Sequence, residues 1–256
     1  MSYTLIKSWG YRLGLYRSLR WVNRHVINRK ELHDFQKELD FYSQFVKPNS
    51  LCFDVGANYG LKTEVFLRLG AKVVAFEPQP ECIKEIESRL GQQSKLTIEQ
   101  TALGQAPGQM TLYIMSYRTK SSLLKDWQGE QVGNLEVPVS TLDRMIAKYG
   151  VPNFCKIDVE GFELEVLKGL SQPIPMISFE YHTKQEGPTR AIDCLEYLAQ
   201  FGELTINVAP AEVPCLATFE PLTKADFLDY FKRYIPNMKG YEYGDIFVGI
   251  ATNKSH

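Results

Sequence analysis

The chain has 256 residues, of which 44% are hydrophobic and 23% charged, and its formal net charge is −1. This composition fits a globular protein with a full core and excludes a disordered chain, and the charge offers nothing global to attract nucleic acid. Charge is uneven locally: residues 1–30 hold seven Lys/Arg and no acid, whereas residues 31–256 hold 22 basic and 30 acidic residues, so one part can dock on the other, within a chain or between chains.

Taken in order, residues 3–47 lack proline and read as helical, with Leu32, Phe35, Leu39, Tyr42 and Val46 at amphipathic spacing. Lys47-Pro48-Asn49-Ser50 punctuates the chain. Short apolar runs then alternate with helical stretches. Strands are expected at 51–55, 72–76 and 96–99, with helices at 61–69 and 79–90 between them. Such alternation predicts parallel βαβ units. Residues 104–140 interrupt the rhythm with two strand-like runs, 110–115 and 135–139, flanking a polar stretch, as in an inserted hairpin. A short helix at 141–149 leads to a fourth core strand at 154–159 and its helix at 162–170. A fifth strand (176–181), a helix (189–201), strands at 204–208 and 246–250, and a helix at 227–234 complete the pattern.

Five cysteines (Cys52, Cys82, Cys155, Cys194, Cys215) are widely spaced and form no Cys-x-x-Cys pair. A disulfide framework or zinc site is not expected, and a reducing, cytoplasmic setting fits. No run reaches the roughly 18–20 apolar residues that span a bilayer, and no secretory signal is evident. The basic start has the composition of a mitochondrial transit peptide, but its many aromatics read as packing residues.

The segment Asp54-Val55-Gly56-Ala57-Asn58-Tyr59-Gly60 follows a strand and opens a helix. Glycine allows a sharp turn and close approach of a ligand, and the N–H groups at the helix start are expected to face that ligand. A tight turn without a ligand is the plain alternative. Glu77, in Phe76-Glu77-Pro78, ends the next strand 21 residues after Gly56. An acid at this offset commonly accepts hydrogen bonds from ribose hydroxyls. A dinucleotide fingerprint is Gly-x-Gly-x-x-Gly, whereas this turn is Gly56-x-x-x-Gly60 with Asp54 before it. A carboxylate serves a pyrophosphate poorly and a cofactor with a cationic sulfonium and α-ammonium group well. Asp54 is therefore placed near that cofactor's amino-acid end, directly or through water.

The stretch from Asp54 to Gly60 resembles motif I of FkbM-type methyltransferases. Phe76-Glu77-Pro78, Ala102-Leu103-Gly104, Val139-Ser140-Thr141-Leu142-Asp143 and Lys156-Ile157-Asp158-Val159-Glu160-Gly161-Phe162-Glu163 match the same family in order. Position 62 carries Lys where the family often has a smaller or aromatic residue. The resemblance covers roughly residues 50–251. It implies a class I methyltransferase fold, a Rossmann-like α/β sheet of seven strands, mostly parallel, the last antiparallel, with helices on both faces. It also implies S-adenosyl-L-methionine as cofactor and usually O-methylation of a hydroxyl on a saccharide or secondary metabolite. The division is then a helical N-terminal arm, 1–47, and a methyltransferase domain, 48–256. By position, Gly56 and Asn58 flank the methionine part, with Asp54, Ala57 and Gly60 beside them. Glu77 and Pro78 border the ribose, and Thr101, Ala102 and Leu103 the adenine. Asp158 borders the cofactor as well as the acceptor.

Methyl transfer to a hydroxyl gains from alignment and from a base. Asp158 and Glu160 at the end of the fourth strand would point the same way if the strand continued, and two close carboxylates can raise one pKa. A cap on the following helix is the alternative reading for either acid. Glu180 and His182 end the fifth strand, and His182 is the histidine expected beside the cleft. Asp158, Glu160 and His182 are the candidate catalytic residues. They could also group round a divalent metal, but such groupings are common by chance, and no metal is expected. The acceptor is expected to be a small molecule or saccharide rather than nucleic acid. The basic arm is open to four readings: a helical cap on the sheet, a cover for the site, a homo-oligomer contact, or a membrane-surface helix. Two other functions compete, a nicotinamide-dependent Rossmann oxidoreductase and a non-catalytic binding module on the same fold.

Overall fold

A computed structural model describes residues 29–125, 127, 129–184, 186–210, 214–234 and 243–251. The expected helix of residues 3–47 is present as α1, Arg29–Tyr42, and its first part, 3–28, lies outside the described residues. The alternating pattern follows as β1 (Leu51–Val55), α2 (Leu61–Arg68), β2 (Lys72–Phe76), α3 (Pro80–Leu90) and β3 (Leu96–Glu99). Then come β4 (Ala102–Leu103), β5 (Gly108–Met115), β6 (Gln131–Ser140), α4 (Leu142–Tyr149), β7 (Phe154–Ile157) and α5 (Glu163–Leu167). The last part contains β8 (Met176–His182), α6 (Gly187–Leu198), β9 (Glu203–Pro210), β10 (Leu222–Thr223), α7 (Lys224–Tyr234) and β11 (Tyr243–Ala251). Local chemistry sets several ends. Pro80 occupies the first turn of α3, where its missing N–H is not needed. Thr141 caps α4 by accepting from the Arg144 amide at 3.2 Å.

The main sheet has eight strands in the order β10-β9-β11-β8-β7-β1-β2-β3. β1, β2, β3, β7 and β8 are parallel, and β11 runs antiparallel between β8 and β9. Seven of these strands form the expected doubly wound, Rossmann-like α/β sheet. The eighth, the two-residue edge strand β10, was not expected, because two residues carry no period. The 104–140 insertion forms the antiparallel hairpin β5–β6, joined in parallel by β4 into a separate three-stranded sheet.

Side-chain alternation divides the main sheet into two faces. Phe53 and Val55 of β1, Cys155 and Ile157 of β7, Ile177, Phe179 and Tyr181 of β8, and Ile246 and Val248 of β11 enter one core. Cys52, Phe154 and Phe247 face the other way, into a core completed by Phe41, Tyr42 and Val46 at the end of α1 and by Phe66 of α2. Phe45 stacks on Phe247 with centroids 4.6 Å apart. The same alternation puts Asp54, Lys156, Glu180, His182 and Asp245 on the α1 side, towards one end of the sheet. Lys62 of α2 pairs with Glu38 of α1 at 2.5 Å and lies over the Tyr42 ring at 5.1 Å. The residue that departs from the family pattern thus fastens α1 to the fold. No described helix is long and apolar enough to cross a membrane.

β7 ends at Ile157 rather than Val159. Glu160 has φ 54° and Gly161 φ 91°, so the chain turns out of the sheet there. The same-face argument for Asp158 and Glu160, which assumed a continuing strand, does not apply.

Candidate functional site

Two neighbouring cavities lie at the strand ends. A narrow cleft of about 50 Å³ is lined by Gly56, Asn58, Glu77, Pro78, Gln79, Thr101, Ala102 and Leu103 and roofed by Thr119 and Ser121–Leu123. A larger cavity of about 650 Å³ is bordered by Asp54, Asn58, Tyr59, Lys156, Trp127, Glu180, His182 and Tyr243. Gly56, Asn58, Thr119, Asp158 and Glu160 border both. Every residue expected at the cofactor lines one cavity or the other except Gly60, which caps α2 at φ 73°.

The turn after β1 is built differently from expectation. A Cβ on Gly56 would stand 1.9 Å from the Asp158 carbonyl oxygen, and its φ is 82°. Glycine is therefore required by the approach of two strand ends as much as by a ligand. The amides of Gly56 and Ala57 both donate to the Phe76 carbonyl, and the Gly60 amide donates to Ala57. The Asn58 amide donates to Glu77 Oε2 at 2.8 Å. These four N–H groups of the turn are used inside the protein, which leaves them no role as a phosphate cradle. What the site presents instead are acceptors. Asn58 Oδ1 and Gln79 Oε1 are buried without a hydrogen-bond partner. Burial pushes Glu77 up to about 7, against hydrogen bonds from the Gln79 and Asn58 amides, and pushes Asp54 up to about 6, against the Thr63 hydroxyl. A ligand rich in hydroxyls and positive charge meets this surface well.

Asp158, Glu160 and His182 all border the large cavity, each with a different partner. Lys156, fully buried, stands 3.1 Å from Asp158 Oδ2 and 2.8 Å from Asp245 Oδ1. Glu160 accepts from the Trp127 indole at 3.2 Å, and burial together with nearby Asp158 pushes its carboxyl up to about 8. Trp127 lies over Gly161, where any Cβ would meet its ring at 2.4 Å, and edge-on to His182 at 5.2 Å. His182 Nε2 is 3.2 Å from Glu180 Oε2, an ion-pair distance without hydrogen-bond geometry. Burial lowers the His182 pKa and raises that of Glu180 strongly. Neither Asp158 nor Glu160 caps α5. Glu163 instead holds the turn before α5, accepting from the Val159 and Gly161 amides at 3.2 and 3.1 Å, with burial pushing it up to about 7.

Sequence reasoning missed Lys156, Asp245 and Trp127. Lys156 stood inside the Lys-Ile-Asp-Val-Glu-Gly block, and a lysine between apolar strand residues was the available signal. Asp245 and Trp127 gave none, because only folding brings them to the strand ends.

The family profile described as the Methyltransferase FkbM domain matches residues 54–204. Among curated proteins, none matches the sequence. Solved structures resemble the chain at low identity. The precorrin-6y C5,15-methyltransferase of Geobacter metallireducens is 11% identical with a TM-score of 0.46, over 84% of this chain and 86% of its own. A Streptococcus mutans protein in complex with SAH is 13% identical with a TM-score of 0.44, over 85% of this chain and 98% of its own. The fibrillarin pre-rRNA processing protein of Methanococcus jannaschii is 13% identical with a TM-score of 0.44, over 80% and 68%. With the family profile spanning more than half of the chain, this protein belongs to the FkbM methyltransferase family and is an S-adenosyl-L-methionine-dependent methyltransferase.

Proposed function

We propose that the protein transfers a methyl group to a hydroxyl of a saccharide or other small secondary metabolite, held in the 650 Å³ cavity. The observation that carries this reading is the cavity itself. It adjoins the cofactor cleft and combines Trp127, Tyr59 and Tyr243 with Asp158, Glu160, Glu180 and His182. Aromatic faces suit the apolar faces of a sugar ring, and carboxylates suit its hydroxyls.

The cofactor supplies an electrophilic methyl on a sulfonium. Glu77 and Gln79 are assigned to its ribose, Thr101, Ala102 and Leu103 to its adenine, and Gly56 and Asn58 to its methionine end. Asp54 is assigned to the ammonium at that end, with Ala57 and Gly60 shaping the turn. Glu160, with a pKa near 8, and neutral His182 are each suited to accept the hydroxyl proton. Asp158, held by Lys156, aligns the acceptor. The five free cysteines, four of them buried, fit a cytoplasmic setting. α1 serves as a cap on the sheet.

The test is transfer of radiolabelled methyl from S-adenosyl-L-methionine to a panel of hydroxylated acceptors, with calorimetry of S-adenosylhomocysteine binding alongside. Transfer only to amines or carboxylates would overturn the hydroxyl assignment.

A further inference from the structure

We propose that Glu160, Glu180 and His182 form a binding site for a divalent cation of the Mn²⁺ type in the wall of the large cavity. One ligand atom from each lies within 4.8 Å of the other two. Glu160 leaves β7 and the other two end β8, so adjacent strands supply all three.

Four observations point to a cation. First, His182 Nε2 and Glu180 Oε2 stand 3.2 Å apart without a hydrogen bond between them. Two neighbouring ligands on an octahedral ion with bonds of ~2.0–2.2 Å are separated by about 3 Å, so this is the spacing a shared ion imposes. Second, the Glu180 side chain is 10% exposed, and its Oε2 is buried with no partner. Two buried ligand atoms that face each other without a hydrogen bond are both satisfied by a cation bound between them. Third, Lys156, the one fully buried cation among the described residues, is committed to Asp158 and Asp245. Of the other lysines bordering the cavity, Lys62 is paired with Glu38, and those at 120 and 184 are exposed. Fourth, Glu160 is held at φ 54°, a conformation costly for a non-glycine residue, and the Trp127 indole orients its carboxylate. A carboxylate accepts several bonds, so that indole bond leaves capacity for a metal.

The donor set selects the ion. Two carboxylates with one imidazole suit Mn²⁺, which takes both oxygen and nitrogen and completes six-coordination with water or hydroxyls. With the ion bound, Glu160 and His182 act as its ligands, and the base role given to them above passes to Asp158. The ion binds an acceptor hydroxyl and lowers its pKa. That last function rests on the acceptor assignment above; the binding of the ion does not.

The experiment is titration of the intact protein with Mn²⁺, followed by calorimetry and by electron paramagnetic resonance. One Mn²⁺ per chain is expected, with nitrogen couplings from one imidazole. Glu180→Gln and His182→Ala should each weaken binding by about 100-fold, while Glu203→Gln, on an exposed part of β9, leaves it unchanged. S-adenosylhomocysteine affinity serves as the check on folding. Absence of saturable Mn²⁺ binding, or binding without nitrogen coupling, overturns the site, and neither readout requires a variant to fold. Methyl transfer to a hydroxyl that persists in EDTA, with no Mn²⁺ bound, would sink the metal site and keep the proposed function. Bound Mn²⁺ without any transfer to a hydroxyl would do the reverse.

Discussion

The Lys156 ammonium stands 3.1 Å from the Asp158 carboxylate, and on its other side 2.8 Å from Asp245, 89 residues further along the chain. Its side chain is 1% exposed, so it stays charged only because these acids raise its pKa against the cost of burial. Lys156→Met leaves two acids without their counter-charge. Fully enclosed pairs lose ~3–5 kcal/mol when one partner is removed. Asp158 is 36% exposed and Asp245 21%, so solvent screens part of that loss and about 2–3 kcal/mol is expected in urea denaturation. Adding Asp245→Asn should recover part of it; a double variant no more stable than the single one would contradict the pairing.

Gly56→Ala places a Cβ at 1.9 Å from the Asp158 carbonyl, on a residue with φ 82°. Strain at positive φ and a backbone clash together cost more than about 2 kcal/mol. Because the clash pushes the strand ends of β1 and β7 apart, S-adenosylhomocysteine affinity should fall along with the melting temperature. Unchanged affinity would show that the turn tolerates the separation.

Cofactor affinity should depend on pH through Glu77, which burial pushes up to about 7, and Asp54, pushed up to about 6. The ionised carboxylates are the better partners for hydroxyls and an ammonium group. Affinity therefore rises as pH passes from about 5.5 to 8 and levels off above. Calorimetry across this range with the wild type and Glu77→Gln is decisive: the variant's profile should be weaker and flatter.

Stability should follow the opposite trend. Asp54, Glu77, Glu160 and Glu163 all have folded-state pKa values above those of the unfolded chain, first of all through burial. The folded state then binds more protons than the unfolded state between about pH 4 and pH 8, so unfolding free energy falls as pH rises through that window. Urea midpoints at pH 5.5 and 8 measure it. A rise in stability with pH would mean that these carboxyls gain partners on folding that outweigh their burial.

Lys62→Ala removes both the Glu38 ion pair and the contact with the Tyr42 ring. The pair is about one-third exposed, so the loss is small, about 0.5–1.5 kcal/mol with the cation–π contribution included. Its signature is local. Amide exchange in α1 should accelerate before that of the central strands, and a uniform acceleration would argue against a fastening role for Lys62.

The order of strands and helices along the chain was legible in the amino-acid sequence, because short, mostly apolar runs such as 51–55 and 154–157, set between turn residues and helical stretches, read as strands buried on both faces. The Asp54–Gly60 turn and Glu77 stood out too, because glycines and acids at set spacings mark the ends of consecutive strands, and parallel pairing of β1 with β2 brings those ends together. What those residues do locally was not. The sequence carried no sign that the Gly56, Ala57 and Asn58 amides close onto Phe76 and Glu77. Glu160 read as a strand residue in step with Asp158, yet a left-handed backbone turns it towards Trp127 and β8. Only the tertiary structure decided that Glu160 meets Glu180 and His182 while Asp158 is tied to Lys156 and Asp245. Strand periodicity determines which face a side chain takes, but pairing between distant strands, and where a strand stops, depend on packing and buried-charge compensation that no local pattern encodes.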